Sequence, residues 1–346
     1  MKYQIDEKFT VDCFEEFVKT PSPVSYYVQV NPIVEKYAKM FGYDVTYDNK
    51  HTAYITMDGE NNSKTVMIGA HLDTLGLIVR RIDSNGWIRV RQLGGVSYQS
   101  FEGANVTVHT RDGREYTGLM CCESHSVHAF DDARTKERDE NHMMIILDQP
   151  VKSKEDVKAL GIMHGDIISI DPQYTLTPNG YIKSRFIDDK AAVACCFAAI
   201  KYMTENNLKP KFRTIFSFPH YEEIGHGGSY IPEEVSEYVC CDIGLIGPDN
   251  DGDEYSVSIA AKDAFSNYDY GLTTRLIEYA KKAECSFAVD TFFHYGTDCN
   301  AAIKAGCNIA HGAFGMAVYA SHGVERTHVT GLSNTINLCL AYLLDI

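Results

Sequence analysis

From residue 190 onward, stretches that read as strands alternate with stretches that read as helices. Strand-like runs fall near 214–218, 238–241, 255–260, 286–290 and 308–314, and helical patterns near 190–205, 271–282, 298–305 and 332–344. Few architectures accept that alternation. Parallel neighbours need a crossover of a dozen or more residues, usually a helix, so the pattern predicts an α/β fold with a mostly parallel sheet flanked by helices. Residues 7–20 and 31–41 add two helices, parted by the breaker Pro21-Ser22-Pro23.

From Thr74 to Ile182 the texture changes. Short β runs dominate, among them Leu77-Ile78-Val79, Trp87-Ile88-Arg89-Val90 and Ile167-Ile168-Ser169-Ile170, and turns such as Ser84-Asn85-Gly86 separate them. The expectation is a small all-β domain, residues 74–182, inserted into a discontinuous α/β domain made of 1–73 and 183–346. Residues 123–142 are charged and His-rich at irregular spacing, which reads as a mobile loop rather than a metal tract.

In open sheets of this kind, sites lie beyond the carboxyl ends of strands. Thr214-Ile215-Phe216-Ser217-Phe218 is an apolar run followed by Pro219 and then His220-Tyr221-Glu222-Glu223-Ile224-Gly225. Two adjacent carboxylates therefore stand where a buried strand gives way to a loop. Adjacent carboxylates repel, so a cation is expected to hold one while the other stays free as a base. A solvated surface pair is the plainer alternative. Val66-Met67-Ile68-Gly69-Ala70 delivers His71 in the same manner. Asp73, two residues on, projects to the same side in extended chain, which suits a carboxylate that orients a metal-binding imidazole. Asp188 and Asp189 precede Ala191–Ile200, a helix apolar on nearly all sides, and could simply cap it.

Taken together, His71-x-Asp73, Asp188-Asp189, Glu222-Glu223-x-Gly225 and a late His322 within Tyr319–Arg326 occur in an order that resembles the M42 family of dinuclear metalloaminopeptidases. The resemblance spans nearly the whole chain. It implies an inserted PDZ-like β domain that serves dimerisation and assembly. It also implies two divalent cations per chain, Zn²⁺, Co²⁺ or Mn²⁺. Asp188 would bridge them, His71 and Asp242 would complete one, and Glu223 and His322 the other. Glu222 would be the general base in hydrolysis of short peptides from their N-termini. A deacylase or amidohydrolase on the same scaffold is the alternative reaction. Assembly of dimers into a hollow tetrahedral dodecamer is a further implication.

Some positions depart from the usual pattern. Gly323 follows His322 where Ser is frequent, His328 is a rival ligand, and Lys190 stands where Arg is usual. Tyr295-Gly296-Thr297-Asp298 matches the family's Gly-Thr-Asp, either as a helix cap or as part of a substrate pocket. Asp249 is the alternative to Asp242. Asp242 follows the apolar run Tyr238-Val239-Cys240-Cys241, whereas Asp249 sits in a turn-rich polar segment where Asp bonds its own backbone.

Charge and composition exclude other classes. With 32 Lys and Arg against 47 Asp and Glu the net charge is −15, which argues against nucleic acid and anionic membranes as partners. Eleven cysteines, an odd number without Cys-x-x-Cys, argue against a disulfide framework and fit a reducing, cytoplasmic setting. The first residues carry no signal-type apolar core, and no apolar run is long enough for a membrane span. Gly-x-Ser-x-Gly, His-Glu-x-x-His, the phosphate-binding loop and the dinucleotide glycine motif are all missing.

Overall fold

A computed structural model, described over residues 2–345, places the strand Asn61–Gly69 between two parallel neighbours, Phe212–Phe218 and Val235–Cys241. Ala310–Val318 continues the parallel run beside Val235–Cys241. Antiparallel strands flank this core: Ala53–Met57 beside Phe212–Phe218, and Val257–Lys262 beside Ala310–Val318. Val45–Tyr47 and Phe287–Thr291 form the two edges. The sheet is therefore mixed, with its parallel part at the centre, where both faces are covered and the strands are continuously apolar.

Register decides what these strands deliver. Ser217 lies opposite Gly69, Gly69 opposite Cys240, and Cys240 opposite Ala313, so the strands end side by side. The pairing extends past the strands: Ala70 N–H donates to Ser217 O at 3.0 Å and Leu72 N–H to Pro219 O at 2.8 Å. The chain just after each strand thus emerges in one place.

The helix Ile187–Glu205 is buried along most of its length, as its apolar sequence requires, and packs between the helices Glu7–Lys19 and Val329–Leu344. An aromatic stack ties it to the sheet: Phe17 to Phe197 at 5.7 Å and Phe197 to Phe218 at 5.3 Å between ring centroids. All three are fully buried. Truncating one to Ala costs about 3–5 kcal/mol, a large part of a domain's net stability.

Two compact units result: residues up to Asp73 together with those from Gln173 onward, and Thr74–Pro172. The second unit ends at Pro172, not at residue 182. The reason is a three-stranded sheet in which Tyr181–Ser184 pairs with both Thr175–Leu176 and Glu325–His328, tying residues 173–184 to the first unit. The inserted unit is all-β in its sheet. Its six strands, Gly76–Ile82, Ile88–Leu93, Met143–Leu147, Glu115–Cys122, Asn105–His109 and Ile167–Ile170, close into an antiparallel barrel. Residues 123–142 contain neither helix nor strand, yet Arg138 bonds Glu102 at 2.8 Å and Arg89 bonds Glu123 at 3.0 Å. No helix among the described residues is long and apolar enough to cross a membrane.

Candidate metal centre and active site

His71, Glu222, Glu223 and Asp242 all lie just beyond the carboxyl ends of adjacent central strands. Asp188 enters from the turn before the long buried helix, where Asp188 and Asp189 leave helical geometry. The helix has no side-chain cap among the described residues. Asp188 Oδ1 lies 3.0 Å from His71 Nε2, and Oδ2 lies 3.6 Å from His322 Nε2. His322 Nε2 is also 3.6 Å from Glu223 Oε2. One ligand atom each from His71, Asp188 and Glu223, and likewise from His71, Asp189 and Asp242, lie within 4.8 Å of one another. A cavity of about 510 Å³ opens on Asp188, Glu222, Glu223, Asp242 and His322.

Local geometry fixes these groups. Asp242 N–H donates to Phe314 O at 3.0 Å, and its carbonyl packs so close to Gly315 that a Cβ there would lie 1.2 Å from that oxygen. Only glycine fits. His322 is held at φ 64°, a left-handed conformation that a non-glycine residue adopts at a cost. Glu325, buried at 1% exposure, anchors two of these residues: it accepts Asp188 N–H at 3.0 Å and His322 N–H at 3.2 Å. Sequence reasoning missed Glu325. Its only signal was an acid three residues after His322.

His71 Nδ1 lies 2.9 Å from the Asp73 backbone carbonyl and 3.5 Å from its carboxylate, so Asp73 meets the ring with both groups, the carbonyl nearer. The Asp73 carboxylate also accepts the backbone N–H groups of Glu222 and Glu223, both at 3.1 Å.

Electrostatics show what the cluster lacks. Burial and neighbouring acids push Glu222 well above the usual carboxylate range, and burial with Asp188 pushes Glu223 to about 8. Asp242 rises to about 7, through burial and then Asp188. Asp188 is the exception: burial opposes its ionisation, but His322 and His71 hold it below the usual range. Among the described residues, no lysine or arginine lines the cavity. A carbonyl only accepts, so His71 Nδ1 carries hydrogen, and Nε2 then faces another acceptor, Asp188. Asp189 Oδ1, buried beside them, has no hydrogen-bond partner among the described residues. Each of these features calls for positive charge, and imidazole with carboxylate oxygens is a donor set that divalent transition metals accept.

Other sequence candidates sit elsewhere. His328 heads the last helix, with Nδ1 on Thr330 and Nε2 on the Asn179 carbonyl. Asp249 is exposed and does not line the cavity. Lys190 Nζ is buried and donates to the carbonyls of Phe17 and Thr20. Asp298 accepts Gly228 N–H at 2.6 Å; neither it nor Thr297 caps its helix through a side chain.

The sheet gathers carboxylates and imidazoles at its strand ends, the donor set that a metal-dependent hydrolase requires. The family model described as M42 glutamyl aminopeptidase matches residues 52–338. YhfE of Bacillus subtilis (strain 168), which carries an aminopeptidase name, is 38% identical over 335 residues, covering 96% of this chain and 97% of that protein. The lysyl aminopeptidase of Pyrococcus furiosus is 23% identical over 296 residues, 82% of each chain. Among solved structures, the TET aminopeptidase of Thaumarchaeota archaeon SCGC AB-539-E09 superposes with a TM-score of 0.87 at 17% identity, covering 98% of this chain and 97% of that one. TET1 peptidase of Pyrococcus horikoshii gives 0.84 at 20% identity, over 97% and 100%. The chain belongs to the M42 glutamyl aminopeptidase family, and its class is that of a metal-dependent aminopeptidase.

Proposed function

We propose that this protein removes N-terminal residues from short peptides with the help of two divalent cations. Asp188, His71, Asp242, Glu223 and His322 are the residues that would hold them. Zn²⁺ and Co²⁺ suit these donors best, with Mn²⁺ also accepted. When bound, such ions polarise the scissile carbonyl, lower the pKa of a water and stabilise the oxyanion. Glu222 takes the proton from the attacking water as the water oxygen bonds to the carbonyl carbon. It then hands that proton to the amine nitrogen as the C–N bond breaks. Asp73 positions Glu222 and Glu223 through their backbone amides.

The observation that carries this reading is the convergence of buried Asp188 and Asp242 and half-buried Glu222 and Glu223 on a cavity that no lysine or arginine lines among the described residues. Aminoacyl anilides and N-acyl amino acids, each assayed with and without chelator, test it. Cleavage of the anilides should vanish on chelation and return with Zn²⁺ or Co²⁺. Cleavage of the N-acyl substrates alone would instead indicate a deacylase. Full activity at nil metal content would end the reading.

Homo-oligomeric assembly, up to a tetrahedral dodecamer, belongs to the same proposal, with the inserted barrel in a dimerisation and assembly role. The support is that solved relatives are described as a dodecamer and as a tetrahedron or octahedral shell. Light scattering at micromolar concentration tests it, and a stable monomer would exclude the closed assembly. A cytoplasmic setting fits the eleven cysteines, all free thiols.

A further inference from the structure

Beyond its carboxylates, His322, Ser321 and Gly225, the cavity of about 510 Å³ is walled by Leu245, Phe265, Tyr295, His294 and Gly296. This wall contains no acid, lysine or arginine. Phe265 leaves 63% of its surface exposed, a large apolar face held open where water would ordinarily favour its burial. The face is fixed in place. Phe265 N–H donates to Asp263 Oδ1 at 2.8 Å, and Asp263 is itself buried and bonded by Tyr268 at 2.7 Å and Asn300 at 2.6 Å. The ring lies against Gly296, where an added Cβ would come within 2.7 Å of it. The Tyr295 hydroxyl donates to Ile243 O at 2.8 Å, so its polar end is satisfied within the protein and its ring is left as apolar wall. Lys304 Nζ sits 3.7 Å from the Phe265 ring centroid and does not line the cavity.

We infer that this wall receives the side chain of the substrate's N-terminal residue and selects an uncharged, apolar one. The inference rests on the peptidase reading above. A glutamyl or lysyl side chain entering here would lose hydration against apolar rings, with Lys304 Nζ outside the cavity lining and the cavity's own carboxylates engaged at the proposed cation sites, whereas a leucyl or phenylalanyl side chain would gain from contact with Leu245 and Phe265. The family's glutamyl description therefore does not describe the preference of this chain.

The test uses the metal-loaded full chain and the p-nitroanilides of Leu, Phe, Ala, Glu and Lys, all at one pH. The leucyl or phenylalanyl substrate should exceed the glutamyl and lysyl ones by about tenfold or more in kcat/KM. Phe265→Ala should lower the ratio of phenylalanyl to alanyl kcat/KM by about threefold to tenfold. Leu245→Arg should move the glutamyl-to-leucyl ratio toward the glutamyl substrate. A wild-type preference for Glu or Lys overturns the inference while leaving the peptidase reading intact. Unchanged ratios in both variants, with the fold intact by circular dichroism, overturn the assignment of the wall. Turnover of none of the five removes the peptidase reading, and the inference with it.

Discussion

The Asp73 carboxylate accepts the backbone N–H of Glu222 at 3.1 Å, and with its second oxygen that of Glu223 at 3.1 Å. One fully buried side chain thus sets the position of both acids that follow the strand Phe212–Phe218. Asp73→Asn retains one acceptor and turns the other into a donor facing an N–H. Leaving a buried amide unpaired costs about 1–3 kcal/mol. A displacement near 1 Å can cost about 100-fold in rate. Asp73→Asn should therefore lower both Tm and kcat. Wild-type values of both would show that the two amides are held by something else.

Glu222 lies 3.9 Å from His71 through Oε2, whereas Glu223 Oε2 lies 3.6 Å from His322 Nε2. As the base it should contribute about 10²- to 10⁴-fold to the rate. Glu222→Gln keeps the shape and removes the proton acceptor. Metal content should stay near wild type while kcat collapses by about that factor. Near-normal turnover would assign the base to another group, with Glu223 next in line.

Glu325 reaches two candidate ligands through their backbones, accepting the N–H groups of Asp188 and His322. Partners of this kind usually contribute about 10- to 100-fold to metal affinity. Glu325→Gln keeps one oxygen acceptor and presents an amide to the other N–H, so zinc affinity should fall by about that much. Competition with a chromophoric chelator measures it. Unchanged affinity would limit Glu325 to a structural role.

These residues mark where the sequence was legible and where it was not. The order of helices and strands could be read because apolar runs alternate with helical periodicity, and the helix at 190–205 was recognisable from its apolar sequence alone. His71, Glu222 and Glu223 were legible because a carboxyl-end position follows directly from where an apolar run stops. Glu325 was not, since its strand Glu325–His328 is polar and pairs with Ser184 and its neighbours far away in the chain. Asp73 was half legible. Its spacing from His71 is local, but its carboxylate bonds residues 149 and 150 positions away. The barrel strand Glu115–Cys122 escaped because its first half is mostly exposed and polar.

Asp298 provides a pH test. Burial, the largest cause, and Asp73 raise its carboxyl from the ordinary range to about 7, although His71, Gly228 N–H and Lys50 oppose the shift. The folded protein therefore holds this proton more tightly than the unfolded chain, in which an Asp titrates near 3.9. The sign is that stability falls as pH rises from about 4 to about 7, where the unfolded carboxyl has ionised and the folded one has not, and levels off above that window. Asp298→Asn removes the titration and keeps an acceptor for Gly228. With chelator present throughout, its Tm relative to wild type should rise between about pH 5 and pH 8. A difference that does not change with pH would show that Asp298 ionises normally in the folded state.

The choice between Asp242 and Asp249 bears most directly on the proposed metal sites. Asp242 ends the strand Val235–Cys241, is 5% exposed, and is fixed by Phe314 O at 3.0 Å and by the absent side chain of Gly315. Its Oδ1 accepts Ile243 N–H at 2.6 Å, which orients the carboxylate. Asp249 is exposed in a polar turn and lies outside the cavity. A ligand has to be held rigidly, and a strand end does this better than an exposed turn. Asp242→Asn replaces an anionic donor with a neutral amide, so the purified variant should lose one metal ion per chain and most of its activity. Asp249→Asn should keep both ions. Metal analysis of the two variants decides between them, and loss of an ion from Asp249→Asn alone would move the ligand out of the strand end and into the turn.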